Sequence, residues 1–166
     1  APSLSQLLDA VGGELVYGDR ELLGREVLGI VLAGMSMQNV LERLKEGAVV
    51  VIAADRTDVL LAVLLAQGAE TFPSLAGIVV NGPFEFPPAV ERLINGLNVQ
   101  VPIIRTNFGT YDTAQRIMQT RGRLAAAGIS RRKIDLALAK FEQHIPAIEV
   151  VALLNVKQSL VVERAS

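Results

Sequence analysis

Four consecutive polar residues, Asp55-Arg56-Thr57-Asp58, interrupt the apolar stretch Ala48–Val63 (AVVVIAADRTDVLLAV). Two chemistries suit these residue types. A guanidinium beside the free N–H groups of a helix start holds an anion. A pair of carboxylates holds a cation or exchanges a proton. Asp55 and Asp58 weigh against the first, because they already bring negative charge to that spot. The second finds no further ligand nearby in the sequence. Plain structural duties fit equally well: Asp55 or Thr57 caps a helix, and Asp58 complements its dipole.

Two other polar loops follow apolar runs in the same way. Asn81-Gly82-Pro83 follows Gly77–Val80, and Thr106-Asn107-Phe108-Gly109-Thr110 follows Val101–Arg105. Asn, Gly and Thr make turns for conformational reasons alone. Their convergence carries more weight than any one of them, since parallel strands bring their C-terminal ends to one rim. The candidate ligand-binding residues are therefore Asp55, Arg56, Thr57, Asp58, Asn81, Gly82, Thr106, Asn107 and Thr110, with Met35-Ser36 at the margin. None of these loops carries GxGxxG or GxxxxGKS, so neither a dinucleotide site nor a P-loop is indicated.

No nucleophile–base pair is apparent, and no catalytic residue is assigned. The chain has no cysteine and a single histidine, His144. No metal site is assigned either, because ligands would have to come largely from carboxylates. A cation near a helix end suits His144. Arg116, Arg121, Arg123, Arg131, Arg132 and Lys133 lie between Asp112 and Asp135 with no acid among them. They read as a solvated helical face, or as a docking surface for an acidic neighbour or a polyphosphate such as coenzyme A. Without interleaved aromatics they do not suit single-stranded nucleic acid.

These residues must be positioned by alternating strands and helices. Leu4, Leu7, Leu8 and Val11 form a helical stripe capped by Ser3 or Ser5 and ended by Gly12-Gly13. Glu14–Tyr17 and Glu26–Leu32 read as strands. Ser36 opens a helix that ends at Gly47. Three strand–helix units follow: Val49–Ala53 with Val59–Ala66, Gly77–Val80 with Pro88–Leu97, and Val101–Arg105 with Tyr111–Thr120. A separate helix, Arg131–His144, is expected after Gly122 with Ser130 as its cap. Ala147–Leu154 reads as helix or strand, and Lys157–Ser166 as linker. The fold class is α/β: a mainly parallel sheet with βα crossover units flanked by helices, and a helical C-terminal extension.

At 166 residues, 51% hydrophobic and 20% charged, the chain is expected to form one globular domain. A net charge of −1 gives no bulk attraction to nucleic acid or an anionic membrane. The apolar runs are of strand length, too short to span a bilayer. The cysteine-free composition suits a reducing cytoplasm. The chain starts at Ala1 without a methionine and stops at Ser166 without an obvious cap, so it is expected to be a piece of a longer protein.

The run Gly34–Ala66 (GMSMQNVLERLKEGAVVVIAADRTDVLLAVLLA), followed by Leu75–Gly82 (LAGIVVNG), resembles the DRTGG domain. That is the middle domain of the long, multidomain bacterial phosphate acetyltransferases. Asp55-Arg56-Thr57 match the family's name, while Asp58-Val59 stand where it has two glycines. The long enzymes commonly carry Asp-Arg-x-Asp there. The resemblance implies a DRTGG-type domain over 1–144. It also implies a helical extension and linker over 145–166, leading towards a catalytic domain outside this chain. The parent would interconvert acetyl-CoA plus phosphate with acetyl phosphate plus CoA. Its catalytic residues would lie elsewhere, so this segment would need no cofactor of its own. The roles implied here are regulation and assembly, with flanking domains, a homo-oligomer and a small-molecule effector as partners. Association of such domains with CBS domains keeps nucleotide sensing open, in a stand-alone module as well.

Overall fold

A computed structural model describes residues 1–142. The chain divides into a unit Ala1–Leu124, which carries the sheet, and a unit Ala125–Ser166, whose described part is helical. The expected extension over 145–166, the connector Ile145–Arg164 within it, and His144 lie outside the described residues.

Helix α1 (Leu4–Ala10) starts on a reciprocal cap. Gln6 N donates to Ser3 Oγ, and Ser3 N donates to the Gln6 side chain. Strand β1 (Glu14–Tyr17) follows, then a 3-10 helix Arg20–Gly24 and strand β2 (Gly29–Leu32). Strand β2 is shorter than the expected Glu26–Leu32. The residues before it pair with the chain start instead, through Leu4 N to Arg25 O, Val27 N to Pro2 O and a Ser3–Glu26 bridge. Next come α2 (Met37–Glu42), β3 (Ala48–Ala53), α3 (Thr57–Gln67), β4 (Gly77–Asn81), α4 (Pro88–Gly96), β5 (Ile103–Thr106) and α5 (Thr110–Glu142).

The five-stranded sheet has the order β1-β5-β4-β3-β2. Strands β2 to β5 are parallel neighbours, and β1 is antiparallel on the β5 edge. The α/β, mainly parallel sheet is thus as expected. Side-chain alternation in the strands divides the core into two layers. Val50, Ile52, Ile78, Val80 and Ile103 pack with residues of α2, α3 and α4. Val49, Val51, Val79 and Ile104 pack with Leu4, Leu7, Val11 and Ile117, from α1, its C-cap and α5. Strand β3 throughout and strand β4 up to Asn81 are apolar because both of their faces are covered.

A further expectation fails. Instead of two helices separated near Gly122, α5 is continuous from Thr110 to Glu142, and Ser130 caps nothing because it lies inside the helix. Glycine in a helix interior costs only about 1 kcal/mol relative to alanine and still donates its N–H. The first residue able to remove that donor is Pro146.

Candidate functional site

The change of face occurs between neighbouring strands. The chain leaving β4 turns to the α4 layer, and the chain leaving β5 turns to the α5 layer. Two adjacent carboxyl ends that send their connections to opposite faces mark the usual ligand position in open α/β sheets.

The tetrad after β3 stands on the same rim. A tight turn, Arg56 N to Ala53 O at 2.9 Å, ends the strand and makes Arg56 the cap residue of α3. Neither Asp55 nor Thr57 caps the helix, contrary to expectation. The turn places Asp55 before the cap position and Thr57 inside the first helical turn. The Arg56 guanidinium forks onto Asp58, Nε to Oδ1 at 3.2 Å and Nη2 to Oδ2 at 3.3 Å. Both side chains remain open to solvent, 44% and 64% exposed. An incoming anion would have to compete with Asp58 for Arg56.

That pair sets the local titration. The hydrogen bond from Arg56 holds the Asp58 carboxyl below the usual carboxylate range, with help from the Val59 N–H. The same hydrogen bond raises Arg56. A depressed carboxyl contributes its stability above the ordinary Asp pKa and loses it as pH falls through the depressed value. A raised guanidinium loses its contribution only at strongly alkaline pH. We expect a carboxyl-detected NMR titration to place Asp58 below the ordinary Asp range. Added salt or Arg56→Ala should bring it back, because the pair is exposed and screened. An Asp58 midpoint unaffected by Arg56→Ala would refute the pairing.

The other two loops join the rim through the backbone: Ala54 N donates to Asn81 O at 2.8 Å, and Gly82 N to Thr106 O at 3.1 Å. Gly82 has φ 99°, a left-handed conformation that glycine adopts without strain. The Asn81 side chain is buried. With the amide oriented so that both its ends are satisfied, Nδ2 donates to Ile52 O at 3.1 Å. Its Oδ1 then accepts from Thr110 N at 3.0 Å and Thr110 Oγ1 at 2.9 Å. Buried Thr106 donates Oγ1–H to Val11 O at 2.7 Å and accepts from Phe108 N at 3.3 Å. So the loops converge, but Asn81, Thr106 and Thr110 tie strands and helix together. Asp55, Asn107 and Asp58 are exposed, and Arg56 and Thr57 half-exposed.

Sequence reasoning did not connect the aromatics and cations that stack near this rim. Arg105 lies below the Phe86 ring, 5.2 Å from its centroid, and donates Nη2–H to Phe84 O. Arg116 lies 3.9 Å from the centroid of Phe108 and donates to Ala10 O. A charge inside the apolar run VPIIRT, and two phenylalanines in a loop rich in proline, were the available signals. Part of the arginine cluster has structural work. Arg121 donates to Leu28 O, and Arg123 lines a cleft with Gln6 and Asp9. Lys133 is exposed; the side chains of Arg131 and Arg132 lie outside the described set.

Two further concavities flank the rim. A groove of about 420 Å³ between α2 and α3 is lined by Met37, Leu41, Leu61, Leu65 and Phe72, with Asp58 at its edge. A cavity of about 240 Å³ lies between α4 and the β5–β1 edge, with Arg105, Glu91 and Tyr17 in its wall. Among the described residues, no group of three or more His, Asp or Glu is placed to hold a metal ion. No described helix is long and apolar enough to cross a membrane.

The sequence model described as the DRTGG domain matches residues 6–120. A phosphate acetyltransferase of Nitratidesulfovibrio vulgaris is 31% identical over 160 residues, which is 95% of this chain and 22% of the relative. One of Synechocystis is 26% identical over 157 residues, 94% of this chain and 22% of the relative. The chain thus spans about a fifth of the length of these curated relatives. Among solved structures, the CBS and DRTGG domains of the regulatory region of Clostridium perfringens pyrophosphatase, complexed with the activator diadenosine tetraphosphate, share the fold. The TM-score is 0.53 and the identity 17%, covering 71% of this chain and 46% of that one.

Proposed function

The chain belongs to the DRTGG domain family, and from that premise we propose that it is a non-catalytic regulatory or assembly domain of a phosphate acetyltransferase. The parent would interconvert acetyl-CoA plus phosphate and acetyl phosphate plus CoA in the cytoplasm. Coenzyme A and acetyl-CoA would be substrates of the parent, and this segment would carry no cofactor. The observation that carries the reading is coverage: relatives named phosphate acetyltransferase match almost the whole chain, yet it accounts for only 22% of their length. The remaining length leaves room for the chemistry and for flanking domains.

Regulation is supported by the polar rim at the carboxyl ends of β4 and β5, where open α/β sheets take ligands. Its effector contacts would come from the exposed rim, Asp55, Arg56 and Asn107, held in place by Asn81, Gly82, Thr106 and Thr110. The pyrophosphatase domain pair, described as bound to a nucleotide activator, supports a nucleotide-type effector. Assembly into a homo-oligomer is supported by the apolar α2–α3 groove, where Leu65 is 64% exposed. Contiguous apolar surface of that kind is used at interfaces. The same groove favours the second reading, a stand-alone sensing or dimerisation module.

The test compares the parent enzyme with a version lacking this domain. Acetyl phosphate formation is followed with and without NADH, ATP and pyruvate, and mass is measured by light scattering. The shortened enzyme is expected to keep the reaction but lose effector response or drop to a smaller assembly. Unchanged response and mass would defeat the reading. Acetyl phosphate formation by the isolated chain would defeat its non-catalytic part.

A further inference from the structure

We propose that the cavity beneath Phe86, at the β5–β1 edge, binds a small zwitterion of amino-acid type, its carboxylate on Arg105 and its ammonium on Glu91. The inference goes beyond the regulatory reading and does not depend on the parent's identity.

The cavity follows from the topology. Because α5 turns to the opposite face after β5, among the described residues α4 and the loop carrying Phe84 and Phe86 cover this side of the β5–β1 edge. Arg105 lies on the α4 side, two residues beyond Ile103 along the strand. It is half-buried, and one of its N–H groups is spent on Phe84 O. A guanidinium has five such donors. Among the described residues Arg105 has no carboxylate within ion-pair distance. The Phe86 ring above it favours a fixed, poorly hydrated cation.

Glu91 and Asn95 lie four residues apart on α4, with Ile94 between them, and all three line the cavity opposite Arg105. Glu91 shares the space without closing on the guanidinium, so one cation and one anion face it separately. The Tyr17 hydroxyl proton is not free for a ligand. The hydroxyl donates to Leu97 O at 2.9 Å, with Val99 O at 3.4 Å, and so secures the wall. The site is thereby largely pre-formed.

The charges select the ligand class. A phosphate dianion would meet one cation and be repelled by Glu91. A simple carboxylate would satisfy Arg105 and leave Glu91 facing it. A zwitterion satisfies both, and a guanidinium fork matches a carboxylate bidentately. At about 240 Å³ the cavity is smaller than the usual drug-sized pocket, in keeping with a small metabolite.

The test is a heteronuclear NMR titration of the 166-residue chain with four probes: L-alanine, acetate, methylammonium and inorganic phosphate. L-Alanine is expected to shift the amides of Tyr17, Phe86, Asn95 and Arg105 saturably. Acetate should bind about tenfold more weakly, the loss expected for one charge-assisted contact. Methylammonium and phosphate should not saturate. Glu91→Gln, an exposed and isosteric change, should weaken L-alanine about tenfold and bring acetate level with it. Arg105→Lys should weaken both ligands, because lysine lacks the planar fork. No saturable shift with L-alanine would overturn the proposal. So would phosphate binding more tightly than L-alanine, or a Glu91→Gln variant with unchanged L-alanine affinity.

Discussion

Leu64→Ala is expected to destabilise the domain by about 2–5 kcal/mol, the range for truncating a buried leucine. The same change one residue along, Leu65→Ala, is expected to shift stability by less than about 0.5 kcal/mol. Leu64 is 1% exposed and packs in the layer that includes Val50, Ile52, Ile78 and Val80, whereas Leu65 is 64% exposed on the outer face of α3. Removing Leu64 loses its transfer free energy and leaves a cavity that close-packed neighbours only partly fill. Urea unfolding followed by circular dichroism checks both variants. The midpoint should fall sharply for Leu64→Ala with the slope unchanged, since the surface exposed on unfolding hardly alters. Equal losses at the two positions would mean that α3 does not present these faces.

Asn81→Leu is the second large effect, about 3 kcal/mol, and it acts by a different route. The substitution conserves approximate size but removes every polar atom of the side chain. Ile52 O, the Thr110 N–H and Thr110 Oγ1 each lose a hydrogen bond to the side chain, and a lost hydrogen bond costs about 1 kcal/mol. Amide exchange distinguishes this loss from loosened packing. The Thr110 N–H should exchange much faster in the variant, while strand amides in the middle of β4 keep protection proportional to the lower global stability. A variant as stable as the parent chain would show that Asn81 carries no such bridge. The same residue illustrates why the rim resists simple reading. Asn81 lies where a ligand contact is expected, yet its side chain joins β3 to the start of α5.

Several elements were legible because they depend on local pattern. The unbroken apolar runs of β3 and β4 announce strands covered on both faces. Intervening helical segments force parallel crossovers, and parallel strands bring their polar loops to one edge. A serine cap at Ser3 or Ser5 was legible because capping is short-range, and the reciprocal bonds with Gln6 decide for Ser3. The cap of α3 was not: a tight turn at Ala53–Arg56 decided it, and Asp55 and Thr57 have equally good cap chemistry. The length of α5 was also misread, since Gly122 and Gly128 weaken a helix without blocking it.

The stretch Ala48–Val63 marks the division between the two kinds of information. By itself the sequence determined a buried strand, a polar turn, an apolar helix and membership of the DRTGG family, because these rest on residue type and spacing. It did not determine which leucines of α3 face inward, since the helix is apolar on every side and periodicity has nothing to distinguish. Nor did it show that α4 and α5 leave adjacent strands for opposite faces, or that Arg105 meets Phe86 and Glu91 around one cavity. Those arrangements join residues from separate elements. Only tertiary packing, which balances burial of both sheet faces against the placement of each charge, decided them.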